Sequence, residues 1–154
     1  GPDVYRMFVD PQGGDVDLAK VKPGQIVRVV LLARMPLDVG SDRLGYVALT
    51  DAIGGGFEPI APDLATSATV PGLAEDHPVA QMLSWGAAEA SHSELHDDRV
   101  DLYFDRVWGE WVAATYLVRA TTPGTWLVAP AKAELMYEPD SVSYSDVAHV
   151  TVAK

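Results

Sequence analysis

Two histidines lie four residues apart in the segment His92–His96, a spacing that on a helix would let both imidazoles reach one metal ion. Asp97 and Asp98 follow directly and could supply carboxylate oxygens. The order His-Glu-x-x-His is absent, because Glu94 stands midway between the histidines. We therefore interpret the segment as a solvated loop and expect no metal and no cofactor. The alternative is an enzyme with a metal on the two histidines.

The sequence lacks the common motifs of nucleophilic and phosphate-binding sites. It has no Gly-x-Ser-x-Gly turn, no Gly-x-x-x-x-Gly-Lys-Ser/Thr loop and no dinucleotide-binding fingerprint after a strand. The run Gly54–Gly56 could suggest a phosphate cradle, but Phe57-Glu58-Pro59 follows it, with no basic residue and no helix start. A turn is the better interpretation, and we expect no catalytic residues and no enzymatic activity.

Two of the four tryptophans could form a surface for a partner. Trp108 and Trp111 flank a short Gly-containing connection between two strand-like segments, where aromatic side chains would be exposed together. Trp126 alternates with Val128 and is more typical of a core position. The sequence thus offers Trp108 and Trp111 as a candidate partner patch.

Apolar residues recur mostly at every second position, which is the pattern of strands with one face on a core. Strands are predicted at residues 4–9, 26–35, 44–50, 99–107, 112–120, 125–129, 133–137 and 147–152. Residues 99–107 and 112–120 are predicted to pair as an antiparallel hairpin, with Trp108–Trp111 as its tip. Short strands separated by Gly, Pro and Asp signals indicate an all-β fold, an antiparallel β-sandwich.

The exception is the stretch at about residues 60–98, which is too long for an ordinary hairpin loop. A short helix is predicted within it at residues 77–85, with Asp76 or His77 as the cap and Pro78 in the first turn. We interpret the first two residues, Gly1-Pro2, as the remnant of a cleaved tag, and residues 3–154 as one domain with one long excursion.

Composition excludes several classes of partner and site. The chain has 154 residues, 11 Lys and Arg against 22 Asp and Glu, and a formal net charge of −11. Such an acidic chain is a poor ligand for nucleic acids and for anionic lipid surfaces. Zero cysteines exclude a disulfide, a cysteine zinc site and a thiol nucleophile within this chain. No apolar run is long enough for a membrane helix, so the domain itself is not expected to be membrane-embedded.

Four segments carry residue strings that are more specific than a generic β-sandwich needs. In order along the chain they are Asp51–Pro59, Asp98–Phe104, Arg119–Gly124 and Glu134–Pro139. This ordered set resembles the C-terminal domain of bacterial α2-macroglobulins, with its Asp-x-x-Pro-Ala-Gly-Phe-Glu, Asp-Asp-Arg-Val, Arg-Ala-x-x-x-Gly and Met-Tyr-x-Pro signatures. The segment Leu18–Val29 also fits, and the match spans nearly the whole chain. One departure is Gly54-Gly55, which stands where the family has Pro-Ala.

The resemblance implies a macroglobulin-like β-sandwich that forms part of a broad-spectrum endopeptidase inhibitor used in bacterial defence. In that family a protease cuts a bait region, and a Cys–Gln thioester in a neighbouring helical domain then captures the protease covalently. The family's Met-Tyr pair covers the thioester before activation, and by position these residues are Met136 and Tyr137. The resemblance places the parent in the periplasm, anchored to the inner membrane by an N-terminal lipid. Expected partners are the parent's other domains, trapped proteases and a peptidoglycan-synthesis protein.

The physical requirement for such a latch concerns strand geometry. Neighbouring residues of a strand point to opposite faces, so Met136 and Tyr137 can both face outward only if the strand is an edge strand or ends there. Pro139 cannot donate to a ladder and is compatible with either case. Two alternatives remain: Tyr137 is a core residue with Leu135, or the chain is a free-standing adhesion or ligand-binding sandwich that uses the tryptophan patch.

Overall fold

The computed structural model describes residues 3–12, 14–35, 46–60, 74–77, 80–81, 87–88, 90–105, 111–136 and 140–154. Nearly all of the regular structure in these ranges is β-strand. The one 3₁₀ helix among them, Leu18–Lys20, begins after Asp17, whose side chain accepts a hydrogen bond from the backbone N–H of Ala19. No helix in the described part of the chain combines the length and apolar character that crossing a bilayer would need.

The strands follow the order of the chain. They are β1 (Asp3–Val9), β2 (Ile26–Arg34), β3 (Val47–Ala52), β4 (Phe57–Pro59), β5 (Ala87–Ala88), β6 (His92–Leu95), β7 (Arg99–Phe104), β8 (Trp111–Ala120), β9 (Gly124–Val128), β10 (Lys132–Leu135), β11 (Val142–Tyr144) and β12 (Ala148–Val152).

Two five-stranded sheets form the body of the fold. The first has the order β1-β2-β8-β4, with β5 paired to the other end of β8, and we call it the first sheet. The second has the order β11-β10-β3-β7-β6, and we call it the second sheet. A two-stranded ribbon of β9 and β12 pairs with neither sheet, although its residues Val128, Val150 and Val152 are buried in the same core. Among the strands in the described ranges, every ladder is antiparallel except that of β5 with β8, which confirms the predicted antiparallel sandwich.

The main core lies between the two sheets. Val27, Val29 and Leu31 of β2 project into it, as alternate residues of one strand must. The residues between them, Val30 and Leu32, belong to a second cluster on the opposite face of the first sheet. Strand β2 is therefore buried on both faces, in agreement with its nearly continuous apolar sequence.

The predicted hairpin of residues 99–107 and 112–120 is wrong. Strand β7 pairs with β3 and β6 in the second sheet, whereas β8 pairs with β2, β4 and β5 in the first sheet. The chain therefore changes sheets between Phe104 and Trp111. Period-two patterns report which face of a strand is apolar, but they do not report its partner, and both strands contribute to the same core.

The long stretch at residues 60–98 contains more strand than predicted. Its last part forms β6, which pairs antiparallel with β7 through a short turn at residues 96–98. The backbone N–H of Gln81 donates to the carbonyl of His77 at 3.0 Å, as in the first turn of the predicted helix. The remainder of that helix, and residues 61–73, lie outside the described residues, as do Gly1 and Pro2.

The glycine run between β3 and β4 forms a tight turn against Trp126. The backbone N–H of Phe57 donates to the carbonyl of Gly54 at 2.9 Å. A Cβ atom added to Gly56 would overlap the indole Nε1 of Trp126, which itself donates to the carbonyl of Thr122 at 3.2 Å. Glycine is required here because an indole ring lies directly on the backbone.

Candidate functional site

Met136 lies immediately after the last residue of β10, where the strand ends. Leu135 is buried in the main core, and Met136 is 55% exposed. The backbone N–H of Met136 donates to the carbonyl of Tyr46 at 3.1 Å, which continues the β10–β3 ladder by one bond. Strand β10 lies between β11 and β3, so it is not an edge strand. A latch requires either an edge strand or a strand end, and the structure has a strand end at this position. Tyr137 lies outside the described residues.

Met136 lines a hollow at this end of the second sheet, which we call the Met136 hollow. Its volume is about 430 Å³. Its lining residues are Tyr46, Val47, His92, Glu94, Tyr103, Phe104, Asp105 and Met136. Aromatic rings and a thioether therefore stand beside two carboxylates. Such a surface can pack against an irregular apolar partner, because Met is flexible and polarizable and Tyr is rigid and amphipathic.

The tryptophan patch does not have the exposure that the sequence suggested. Trp111 is 4% exposed, and its ring packs in the second cluster of the first sheet with Val30 and Leu32. Its ring centroid lies 6.1 Å from that of Tyr5 and 6.0 Å from the guanidinium carbon of Arg34. The prediction of an exposed Trp111 is wrong, because β8 is a central strand and not one arm of a hairpin. Trp108 lies outside the described residues.

The histidine pair lies on a strand and not on a helix. His92 and Glu94 belong to β6 and point to the same side as His96, which follows the strand. The Nε2 atom of His96 lies 3.4 Å from Oε2 of Glu94 and 3.2 Å from Oδ2 of Asp101. Nε2 of His92 is within 3.4 Å of Oε1 of Glu94. The four side chains form one polar cluster, in which Glu94 and Asp101 come from neighbouring strands.

Sequence reasoning missed a buried polar cluster that joins the two sheets. Nη1 of Arg6 on β1 donates to Oδ1 of Asp51 on β3 at 2.7 Å, and the Tyr116 hydroxyl on β8 donates to Oδ2 of Asp51. Arg6 also donates to three backbone carbonyls, those of Val128, Ala129 and Asp146. The available signal was a charged residue in each of two largely apolar segments, Arg6 within residues 4–9 and Asp51 directly after residues 47–50, since buried charges are almost always paired.

The burial of this cluster changes its acid–base chemistry. Removal from water raises the pKa of the Asp51 carboxyl above its usual range, and the charge of Arg6 and the hydroxyl of Tyr116 act against that rise. The pKa of Tyr116 is raised well above 10, first by burial and then by the neighbouring Asp51 carboxylate. The cluster has no opening to a substrate within the described residues, since all three side chains are buried. Its role is to hold the sheets together.

Comparison with known proteins decides the family. A family model described as the bacterial α2-macroglobulin MG10 domain matches residues 1–140. The chain belongs to this family. It is 30% identical over 145 residues to an α2-macroglobulin of Pasteurella multocida, which covers 94% of this chain and 6% of that protein. An α2-macroglobulin of Xylella fastidiosa is 41% identical over 66 residues, 43% of this chain and 4% of that protein. The MG10 chain thus spans a small part of its relatives' length.

Solved structures agree on the fold. A mutant of Salmonella α2-macroglobulin matches 99% of this MG10 chain with a TM-score of 0.75 at 24% identity, using 9% of that protein. A native Escherichia coli α2-macroglobulin fragment, from domain MG7 to the C-terminus, matches 99% of the chain with a TM-score of 0.75 at 23% identity, using 23% of the fragment. The fold is therefore the macroglobulin-like sandwich that the resemblance implied.

Proposed function

We propose that this MG10 domain is a noncatalytic regulatory part of a bacterial α2-macroglobulin, a protease trap that inhibits endopeptidases. Within the trap, Met136 and Tyr137 cover a thioester carried by a neighbouring domain and keep water and amines away from it before activation. In this way the domain helps to keep the protease trap in its inactive state. The family membership and the α2-macroglobulin relatives support this proposal.

The thioester itself belongs to another part of the parent. Forming it requires a cysteine, and this chain contains none. A domain without the reactive bond can still control its lifetime, because a thioester is lost wherever nucleophiles reach its acyl carbon. The partner of the Met136 hollow is accordingly the domain that carries the thioester. The trapped proteases are partners of the whole parent.

The observation that carries the proposal is the exposure of Met136 at a strand end. Met136 follows the buried Leu135 and is exposed, so its large apolar side chain can contact a second domain. Within a strand, by contrast, the alternation of side chains would fix which face of the sheet each residue occupies. The neighbouring Tyr46 is also exposed and extends the same apolar surface. Exposed apolar patches of this kind are typical of contact surfaces.

For the location of the parent we propose the periplasm, with an N-terminal lipid anchor in the inner membrane. A peptidoglycan-synthesis protein is a partner in the same proposal. Both statements depend on the family resemblance, and fractionation of cells that produce the tagged parent tests the first of them. Recovery of the parent in the inner-membrane fraction is expected, and recovery in the cytoplasmic fraction would contradict the proposed location.

The experiment for the shielding role uses the intact parent with Met136→Ala and Tyr137→Ala together. Before bait cleavage, the variant is expected to incorporate methylamine faster than the unmodified parent, because the acyl carbon is uncovered. After bait cleavage the two proteins should react at the same rate, since the cover is then removed in both. Equal rates before cleavage would eliminate the shielding role.

A further inference from the structure

The cluster at the edge of the second sheet has the composition of a metal site. Glu94 of β6 lies directly opposite Asp101 of β7, and His96 is two residues beyond Glu94 on the same side. One ligand atom from each of these side chains lies within 4.8 Å of the others. Imidazole nitrogens and carboxylate oxygens are both zinc ligands, and a site with three protein ligands leaves the fourth position open to solvent.

We propose that Glu94, His96 and Asp101 bind a Zn²⁺ ion through one imidazole nitrogen and two carboxylate oxygens, with solvent as the fourth ligand. Two of the three distances between ligand atoms fit this geometry, and the third is below 4.8 Å. Ligand bonds of about 2.0 to 2.2 Å in a tetrahedron place neighbouring ligand atoms about 3.3 to 3.6 Å apart. Nε2 of His96 lies 3.4 Å from Oε2 of Glu94 and 3.2 Å from Oδ2 of Asp101.

The hydrogen bonding of His96 is an independent indication. The side chain is 37% exposed, but its Nε2 atom is shielded from solvent and makes no hydrogen bond, although a carboxylate oxygen lies within 3.4 Å on two sides. In the neutral tautomer with its proton on Nδ1, which is the form that binds a metal through Nε2, the imidazole directs a lone pair from Nε2, and carboxylates repel that lone pair. A cation placed between the three groups would satisfy all of them at once.

The like charges on β6 and β7 also favour a bound cation. Carboxylates directly opposite each other on paired strands destabilise the pairing. Arg99 offsets part of this repulsion, since its Nε donates to Oδ2 of Asp101 at 3.1 Å, but its side chain is half exposed. Arg99 therefore competes with the ion for the Asp101 oxygen. His92 holds the other oxygen of Glu94 at 3.4 Å and leaves Oε2 facing His96, as outer partners of metal ligands do.

The test titrates the metal-free chain with ZnCl₂ in a calorimeter. One ion is expected to bind per chain, and His96→Gln and Glu94→Gln should each weaken binding by roughly 10- to 100-fold. Arg99→Gln should strengthen binding by roughly two- to fivefold, because it removes a competing cation. His149→Gln changes an exposed histidine on β12, in the separate ribbon, and should leave binding unchanged.

The proposal would be overturned in either of two ways. If ZnCl₂ gives no binding heat and no rise in the unfolding temperature, the cluster is an ion-pair network only. If His96→Gln and Glu94→Gln bind zinc as well as the unmodified chain does, the ion is bound elsewhere. Circular dichroism of each variant confirms that a loss of binding is not a loss of fold. Because Glu94 also lines the Met136 hollow, a bound ion would stiffen one wall of that hollow.

Discussion

Arg6 and Asp51 form an ion pair that joins the two main sheets, with 2.7 Å between Nη1 and Oδ1 and side-chain exposures of 2% and 0%. Arg6 comes from β1 in the first sheet and Asp51 from β3 in the second. Asp51 is also the first residue of Asp51–Pro59, the segment that resembles the Asp-x-x-Pro-Ala-Gly-Phe-Glu signature of bacterial α2-macroglobulins. The signature aspartate thus acts in this domain as an inter-sheet connector.

Replacing Arg6 should strongly destabilise the domain. Arg6→Leu leaves the Asp51 carboxyl buried without its cation and removes the donor to three backbone carbonyls. Breaking a buried pair in this way costs about 3 to 5 kcal/mol of unfolding free energy. Urea denaturation measures the loss, and the double variant Arg6→Leu with Asp51→Asn should recover part of it. A single-variant cost below about 1 kcal/mol would show that the pair contributes little.

Tyr116 should make stability depend on alkaline pH. Its pKa is raised in the folded state, whereas an unfolded tyrosine titrates near 10. The folded state therefore binds more protons above pH 10, and the unfolding free energy falls as pH rises there.

The variant Tyr116→Phe removes the contribution of Tyr116 to this pH dependence. It should cost about 1 to 2 kcal/mol at pH 8, where Asp51 loses a donor, and this gap should close as pH rises through 10. Urea denaturation of both proteins at several pH values measures it, and a constant gap would contradict the prediction.

Gly56 should not tolerate a side chain. Gly56→Ala forces a methyl group into the indole of Trp126, and overpacking of this kind costs about 1 to 3 kcal/mol of unfolding free energy. Trp126→Ala removes the obstacle, so the cost of Gly56→Ala should nearly vanish in that background. Thermal unfolding of the four proteins in this cycle gives the coupling. The same cost with and without Trp126 would mean that the backbone, and not the ring, restricts this turn.

The fold class could be predicted from the sequence because period-two apolarity is a local property. Val100, Leu102 and Phe104 all face the main core, as their alternation indicates. The strand partners could not be predicted the same way, because pairing depends on residues far apart in the chain. For β8 the short connection to β7 favoured a hairpin, but both of its faces are buried, which is typical of a central strand.

In the candidate sites, too, local patterns could be predicted from the sequence, whereas contacts between distant residues could not. The helical spacing of His92 and His96 was misleading, since a strand brings alternate residues to one side and adds Asp101 from the neighbouring strand. Sequence gives no measure of which carboxylate lies opposite a given residue. The strand predicted at residues 133–137 ends two residues earlier than expected, at Leu135, and Pro139, which cannot donate to a ladder, indicated only that an edge or an end was near.

The most direct measurement of the shielding role concerns Met136 alone. The rate of thiol release from the uncleaved parent in methylamine reports opening of the thioester, because the amine forms an amide with the acyl carbon and the sulfur leaves as a thiol. The control is Leu127→Ala, which removes a side chain that is 62% exposed on β9, away from the Met136 hollow. Met136→Ala should release thiol about tenfold faster, equivalent to about 1.4 kcal/mol of protection, and Leu127→Ala should match the unmodified parent. The same rate for all three proteins would contradict the account.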